Sequence, residues 1–383
     1  MTNSEKTNLS GIYIHVPFCQ SRCIYCDFYS TVYGEEFKDR YVERLLKEMA
    51  DRKNEVGSLV DTIYVGGGTP SCLHTGRIEK MMNHLIQNFS LADNPEITLE
   101  ANPDDVTPSF VKQLVDIGIN RVSLGVQTFD DERLRFIRRR HSSRQAVKAV
   151  HTLVENGIDN VSIDLIFGFP NESVESWKKD LEQALFLPVK HLSAYSLMFE
   201  EGTLLTHMRD SGQIEEIDED LSLGMYDVLL DMTEKKGMEH YEISNFSYPG
   251  FRSHHNSKYW MGAPYVGFGP GAHSFNGVNV RRSNISDLKY YIQLSDEVPH
   301  EIEILGVDEL CDEFVFTSLR TKEGLDTRSL LARFGIERFN KIIVAAEAHV
   351  KSGLLKETSG RLSFTHKGFF LSDLVMSDMM IVE

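Results

Sequence analysis

Three cysteines lie within eight residues near the start of the chain: Cys19, Cys23 and Cys26, in His15-Val-Pro-Phe-Cys-Gln-Ser-Arg-Cys-Ile-Tyr-Cys-Asp-Phe. The spacing is CxxxCxxC. Three thiolates can hold three corners of a cubane iron–sulfur cluster and leave the fourth iron without a protein ligand. A small molecule must complete that iron, so the loop implies a ligand site as well as a cluster. A structural zinc site with His15 as fourth ligand is the competing reading. Zinc sites usually come as two CxxC-like pairs, or with a Cys/His pair well downstream, and no second pair exists here. Disulfides do not suit the context. The opening residues, Met-Thr-Asn-Ser-Glu-Lys-Thr-Asn, carry no apolar signal core, and five cysteines in 383 residues suggest a reducing cytoplasm. Cys72 and Cys311 stand alone and read as ordinary thiols.

Other polar groups recur where a ligand could use them. Gly66-Gly67-Gly68-Thr69-Pro70 follows a β-rich run and frees backbone to approach a ligand closely; a tight turn is the plain alternative. Glu100, in Leu-Glu-Ala-Asn-Pro, is a carboxylate at a strand end. Gln127 sits in Gly-Val-Gln-Thr-Phe and Arg139 in the run Arg138-Arg139-Arg140-His141, which otherwise reads as a solvated face. Asp164 interrupts the apolar run Asp-Leu-Ile-Phe-Gly-Phe-Pro, and a buried carboxylate is costly unless paired.

The elements that must position these residues alternate strand with helix. Strands are expected over Gly11–Phe18, Thr62–Val65, Glu96–Glu100, Arg121–Phe129, Asn160–Phe167 and His191–Phe199. Phe37, Tyr41, Leu45 and Met49 form a helical stripe, as do Trp177, Leu181 and Leu185. Thr107-Pro108 supplies an N-cap and a first-turn proline. Strands that read as nearly continuous apolar runs imply a parallel sheet covered by helices. Six units predict an α/β fold, an incomplete parallel (β/α)6 barrel open at one side. Such sheets place ligands at the carboxyl ends of their strands, where the motifs lie. Domain boundaries are expected at 1–240 for the barrel, 241–300 for a loop-rich, glycine- and aromatic-rich segment, and 301–383 for a C-terminal unit. In that unit, helices over Glu309–Leu319, Thr327–Phe334 and Glu337–Ser352 precede a hairpin turning at Ser359-Gly360, in the manner of a winged helix.

A net charge of −17 and the lack of a concentrated basic helix argue against nucleic-acid binding. No apolar run approaches the roughly 20 residues needed to span a bilayer.

Taken in order, Tyr-Ile-His-Val-Pro-Phe-Cys, Gly-Gly-Gly-Thr-Pro, Glu-Ala-Asn-Pro, Gly-Val-Gln-Thr-Phe, Asp-Leu-Ile-Phe-Gly-Phe-Pro and His-Leu-Ser-Ala-Tyr-Ser-Leu resemble one branch of the radical S-adenosylmethionine (radical SAM) superfamily. That branch holds the oxygen-independent coproporphyrinogen III dehydrogenases (HemN-type) and the HemW heme chaperones. The resemblance implies a radical SAM barrel with a HemN-like C-terminal unit. It implies that Cys19, Cys23 and Cys26 ligate a [4Fe–4S] cluster, and that Tyr13, Tyr25, Gly68, Thr69, Glu100, Gln127, Arg139 and Asp164 contact SAM. The dehydrogenases carry a further cysteine two residues after the third, where this chain has Phe28, and a longer segment before the motif, where this chain has 18 residues. HemW proteins have Phe there, a short N-terminus and an His-Asn-x-x-Tyr-Trp motif, found here as His255-Asn256-Ser257-Lys258-Tyr259-Trp260. An exposed imidazole is a common heme ligand and flanking aromatics can stack on a porphyrin. His255 is therefore expected to ligate heme, with the adjacent His254 as the alternative. The resemblance further implies a cytoplasmic monomer or weak homodimer, an acceptor protein for the heme, possibly at a membrane, and an electron donor such as a flavodoxin.

Overall fold

The computed structural model describes residues 9–382, so the polar stretch over residues 1–8 lies outside it. Six parallel strands run in sequential order: β1 (Leu9–Val16), β2 (Leu59–Gly67), β3 (Leu91–Ala101), β4 (Arg121–Gln127), β5 (Asn160–Phe167) and β6 (His191–Ser196). Helices over Glu35–Asp51, Thr75–Asn88, Pro108–Asp116, Ser143–Glu155 and Val174–Phe186 return the chain between them. The capping chemistry is local. The Thr107 hydroxyl accepts from the Phe110 amide ahead of Pro108, and Ser142 and Gln145 form a capping box.

The strands do not read as continuous apolar runs once folded; they alternate. Ile12, Ile14, Ile63, Val65, Leu99, Val122, Leu124, Ile163 and Leu165 face outward and are fully buried under the helices. Tyr41, Leu45 and Met49 of the first helix meet them, each contributing about 1.5–3 kcal/mol of burial. The intervening positions, among them Tyr64, Glu100, Arg121, Ser123, Asp164 and Ser193, turn inward and line a cavity. The inner wall is polar and encloses a cavity, so a simple two-period alternation replaces the pattern expected of a filled parallel barrel.

The segment over 241–300 does not stand apart as a loop-rich unit. The strands β7 (Glu239–Glu242) and β8 (Asn245–Ser247) add antiparallel to the β6 edge. On the other side β9 (Tyr265–Phe268) pairs parallel with β1, followed antiparallel by β10 (His273–Phe275), β11 (Val280–Asn284) and β12 (His300–Ile304). Phe246, Phe268, Leu288 and Tyr291 belong to the same core as the barrel strands. Short strands, bulges and glycine turns hid this sheet from a search for long periodic runs.

The C-terminal unit has a core of its own, including Cys311, Leu319, Leu330, Ile342 and Val375. Its long helix, Thr327–Lys351, is broken at Gly335, where φ is 79°. A three-stranded sheet follows from β13 (Leu325–Asp326), β14 (Leu355–Thr358) and β15 (Arg361–Phe364). Ser359 and Gly360 both take positive φ in its hairpin turn, as a two-residue primed turn requires. Among the described residues no helix is long and apolar enough to cross a membrane.

Candidate cofactor site in the barrel chamber

The cysteine loop leaves the C-terminal end of β1 and is tied back on both sides. The Cys19 amide donates to the Thr31 carbonyl (2.8 Å) and the Thr31 amide to the Pro17 carbonyl (2.8 Å), while Thr69 N–H donates to the Phe18 carbonyl (2.7 Å). Ile24 anchors the loop among Ile137, Ile166, Phe169 and Leu205. Cys19, Cys23 and Cys26 are each half-buried and line one chamber of about 420 Å³. Three thiols on one open chamber suit a cluster that leaves one iron for a small-molecule ligand. Cys72 lies behind the loop, its thiol donating to the Phe18 carbonyl (3.6 Å) and pushed up to about 12 by burial.

The glycine loop works differently from the sequence expectation. The Gly67 amide is already taken by Glu100 Oε2 (3.1 Å). A Cβ on Gly68 would sit 2.6 Å from the Phe18 carbonyl oxygen. The missing side chains thus admit the protein's own Glu100 and the residue preceding Cys19. Glu100 also accepts from the Tyr64 hydroxyl (2.8 Å). Burial, reinforced by Asp164, pushes its carboxyl up to about 7 against the pull of those two donors. Below that value Glu100 is neutral and above it anionic, so attraction for a cationic ligand grows with pH. Affinity for SAM is expected to rise up to about tenfold between pH 6 and pH 8. Calorimetric titration across that range checks this, with Glu100→Gln as the control; an equally steep profile in that variant counts against the assignment.

Asp164 accepts from the Ser123 hydroxyl (3.3 Å) and, partly buried in the chamber wall, is raised above the ordinary carboxylate range by desolvation. Gln127 sits at a register shift in β4 with φ at 69°, a conformation rare for any residue but glycine. The arginine run is not one solvated face. Arg139 is drawn into the chamber, donating to Asn102 Oδ1 (2.8 Å) and the Tyr25 hydroxyl (3.4 Å), with a buried Nε that has no partner among the described residues. Room for its guanidinium comes from Gly125, whose Cβ would lie 2.9 Å from it. Arg140 pairs with Asp104 and Asp105 (3.1 and 3.2 Å), and Arg138 is exposed. Tyr25, Gly68, Thr69, Glu100, Gln127, Arg139 and Asp164 therefore share the chamber with the cysteines. Tyr13 does not line it; its hydroxyl meets His15 Nδ1 (3.1 Å) and its ring stacks on Tyr64. Arg121, Ser123, Ser193 and Tyr195 do line it and were not singled out in the sequence, although inward alternation back from Gln127 along β4 marks the first two.

His255 departs most from expectation. It lies on a helix, His254–Trp260, that closes the N-terminal end of the barrel, opposite the cysteines. Its imidazole is 1% exposed, with Nδ1 bonded to Thr62 Oγ1 (2.9 Å) and Nε2 to the Tyr259 hydroxyl (3.0 Å). Burial first, then Lys258 and Arg121, hold it down to about 3, so it stays neutral. The amides of His254 and His255 donate to the Glu96 carboxylate (3.1 and 3.0 Å), and Lys258 pairs with Asp61 (2.7 Å). Arg320 covers Trp260 at 4.8 Å. Both nitrogens of His255 are engaged, and Tyr259 and Trp260 are only partly exposed. The expected heme ligand is thus buried in the barrel floor, and the exposed imidazole in this helix is His254. His255→Ala strands buried hydroxyls and leaves a hole, so a loss of about 2–4 kcal/mol is expected in chemical unfolding. A loss under about 1 kcal/mol contradicts that structural role.

Six parallel strands closing on a three-cysteine loop, with carboxylates and a buried arginine along the inner wall, define a radical SAM protein. The sequence matches the Radical SAM superfamily over residues 13–184 and the HemN C-terminal domain over residues 307–371. It is 33% identical over 374 residues to the heme chaperone HemW of Lactococcus lactis subsp. lactis, covering 97% of each chain. The heme chaperone HemW of Bacillus subtilis is 32% identical over 377 residues, covering 96% of this chain and 98% of that one. The chain belongs to the heme chaperone HemW family. Its fold is shared with coproporphyrinogen III oxidase (HemN) from Escherichia coli, at a TM-score of 0.85 and 22% identity, over 99% of this chain and 91% of that chain. The cofactors of the superfamily are a [4Fe–4S] cluster and SAM, and the chamber's thiols, carboxylates and unpartnered arginine Nε fit both.

Proposed function

We propose that this chain is a heme chaperone that binds heme and passes it to an acceptor protein. Phe28 carries the reading. Two residues after Cys26, where the porphyrinogen dehydrogenases are expected to hold a further cysteine, this chain exposes a phenyl ring at the chamber's edge. The names of the full-length relatives support the same reading. Cys19, Cys23 and Cys26 would hold the cluster and leave one iron open, where SAM would bind. Glu100 and Asp164 suit the cationic and hydroxyl parts of SAM, Arg139 and Asn102 its polar edges, and Gln127 and Thr69 the rim. Tyr25 keeps Arg139 in place, and Tyr13 supports His15 and Tyr64 from behind. Electrons would come from a donor of flavodoxin type in the cytoplasm. One anaerobic sample tests the function: titration with heme, then incubation with coproporphyrinogen III, SAM and reductant. Heme binding near one per chain with no protoporphyrinogen is the expected result. Decarboxylated product would move the chain to the dehydrogenases.

A further inference from the structure

Phe28, Met198 and Tyr195 are 64%, 62% and 42% exposed, and all three line the chamber. Single exposed apolar side chains are ordinary, but three around one opening form a patch. Two guanidinium groups share that opening. Arg22 is exposed, and among the described residues its one side-chain hydrogen bond is a long one (3.4 Å) from Nη2 to the Cys26 carbonyl. Arg138 is exposed with no side-chain hydrogen bond or ion pair among the described residues, and its backbone is held at φ 61°. Left-handed backbone at a non-glycine residue costs of order 1 kcal/mol and persists where the surroundings impose it. Both side chains are uncommitted in a chain of net charge −17, while the adjacent Arg139 and Arg140 are engaged.

We infer that heme docks on this opening, one face against Phe28 and Met198 and its two propionates on Arg22 and Arg138. The patch asks for a ligand that is flat and apolar over most of its area and anionic at one edge. Heme has that distribution, with two carboxylates on one side of the ring. A nucleic acid has more charge than two arginines answer. Phe28 stands beside the cysteine loop, so the porphyrin would lie over the cluster end of the chamber rather than at the His255 floor. Guanidinium–carboxylate pairs are bidentate and directional, which fixes the ring's orientation.

The site rests on the heme-chaperone reading, and its test separates the two. The parent, the double variant Arg22→Gln/Arg138→Gln and the double variant Phe28→Ser/Met198→Ser are titrated with heme and with heme dimethyl ester in one detergent, at matched cluster iron. The arginine variant is expected to bind heme about tenfold more weakly than the parent and the diester equally well. The Phe28/Met198 variant is expected to weaken both ligands. Parent-like heme affinity in both variants overturns this docking site and leaves the chaperone function standing. A parent that binds no heme overturns both. Equal weakening of heme and diester in the arginine variant removes the propionate contacts and with them the site as drawn.

Discussion

Replacing any one of Cys19, Cys23 or Cys26 by alanine is expected to take cluster iron from about four per chain to almost none. The three thiols line one chamber, and no other cysteine is placed to substitute. Cys311 is buried in the C-terminal core, and the Cys72 thiol is held protonated behind the loop. Cys72→Ala and Cys311→Ala should therefore keep full iron. Anaerobic reconstitution followed by iron and sulfide analysis measures this. Stoichiometric zinc in the parent, or a cluster surviving in any of the three variants, would end the assignment.

The second large effect comes from a residue with no side chain. In Gly68→Ala the new methyl would meet the Phe18 carbonyl oxygen at 2.6 Å and its amide nitrogen at 3.0 Å. Both are backbone atoms and cannot rotate away. The same carbonyl accepts from the Thr69 amide, so the bond joining the glycine loop to the cysteine loop must stretch. Cys19 follows Phe18 directly and moves with it. Iron content should fall at least severalfold and SAM binding with it, while the fold, built mainly on the outward faces of the strands, remains. Circular dichroism alongside the iron assay separates the two. Parent-like iron and SAM binding would show that the loops are independent.

Much of the site was legible in the sequence because it is written in short local strings. The cysteine spacing, Glu100 and Gln127 each sit where an element begins or ends, Asp164 stands out as a charge inside an apolar strand, and each lines the chamber. What could not be read depends on long-range contacts. The role of the glycines is set by Phe18, fifty residues before Gly68, and by Glu100, far downstream. The three arginines are identical as letters, yet one is drawn into the chamber, one is paired with carboxylates and one is exposed, beside a turn at φ 61°. His255 illustrates the same limit. Its motif was taken for an accessible ligand, but the packing of Thr62 and Tyr259 around the ring is visible only once β2 and the floor helix are in place. The strands β7 to β12 were missed because they run three to five residues and derive their stability from the edges they join, whereas the hairpin of β14 and β15 was legible from its Ser359-Gly360 turn.

The position of β9 beside β1 bears on synthesis. The ribosome releases β1 first, yet its second neighbour, Tyr265–Phe268, emerges some two hundred and fifty residues later. The floor helix that caps β2 and β3 comes barely earlier. Until then the nascent barrel carries an unpaired parallel edge and an unsealed polar lumen, a state prone to mispairing with other chains. Translation that stalls between β6 and β9 would leave the six-stranded half complete in sequence and unfinished in structure, a window in which chaperone holding matters more than the cofactors.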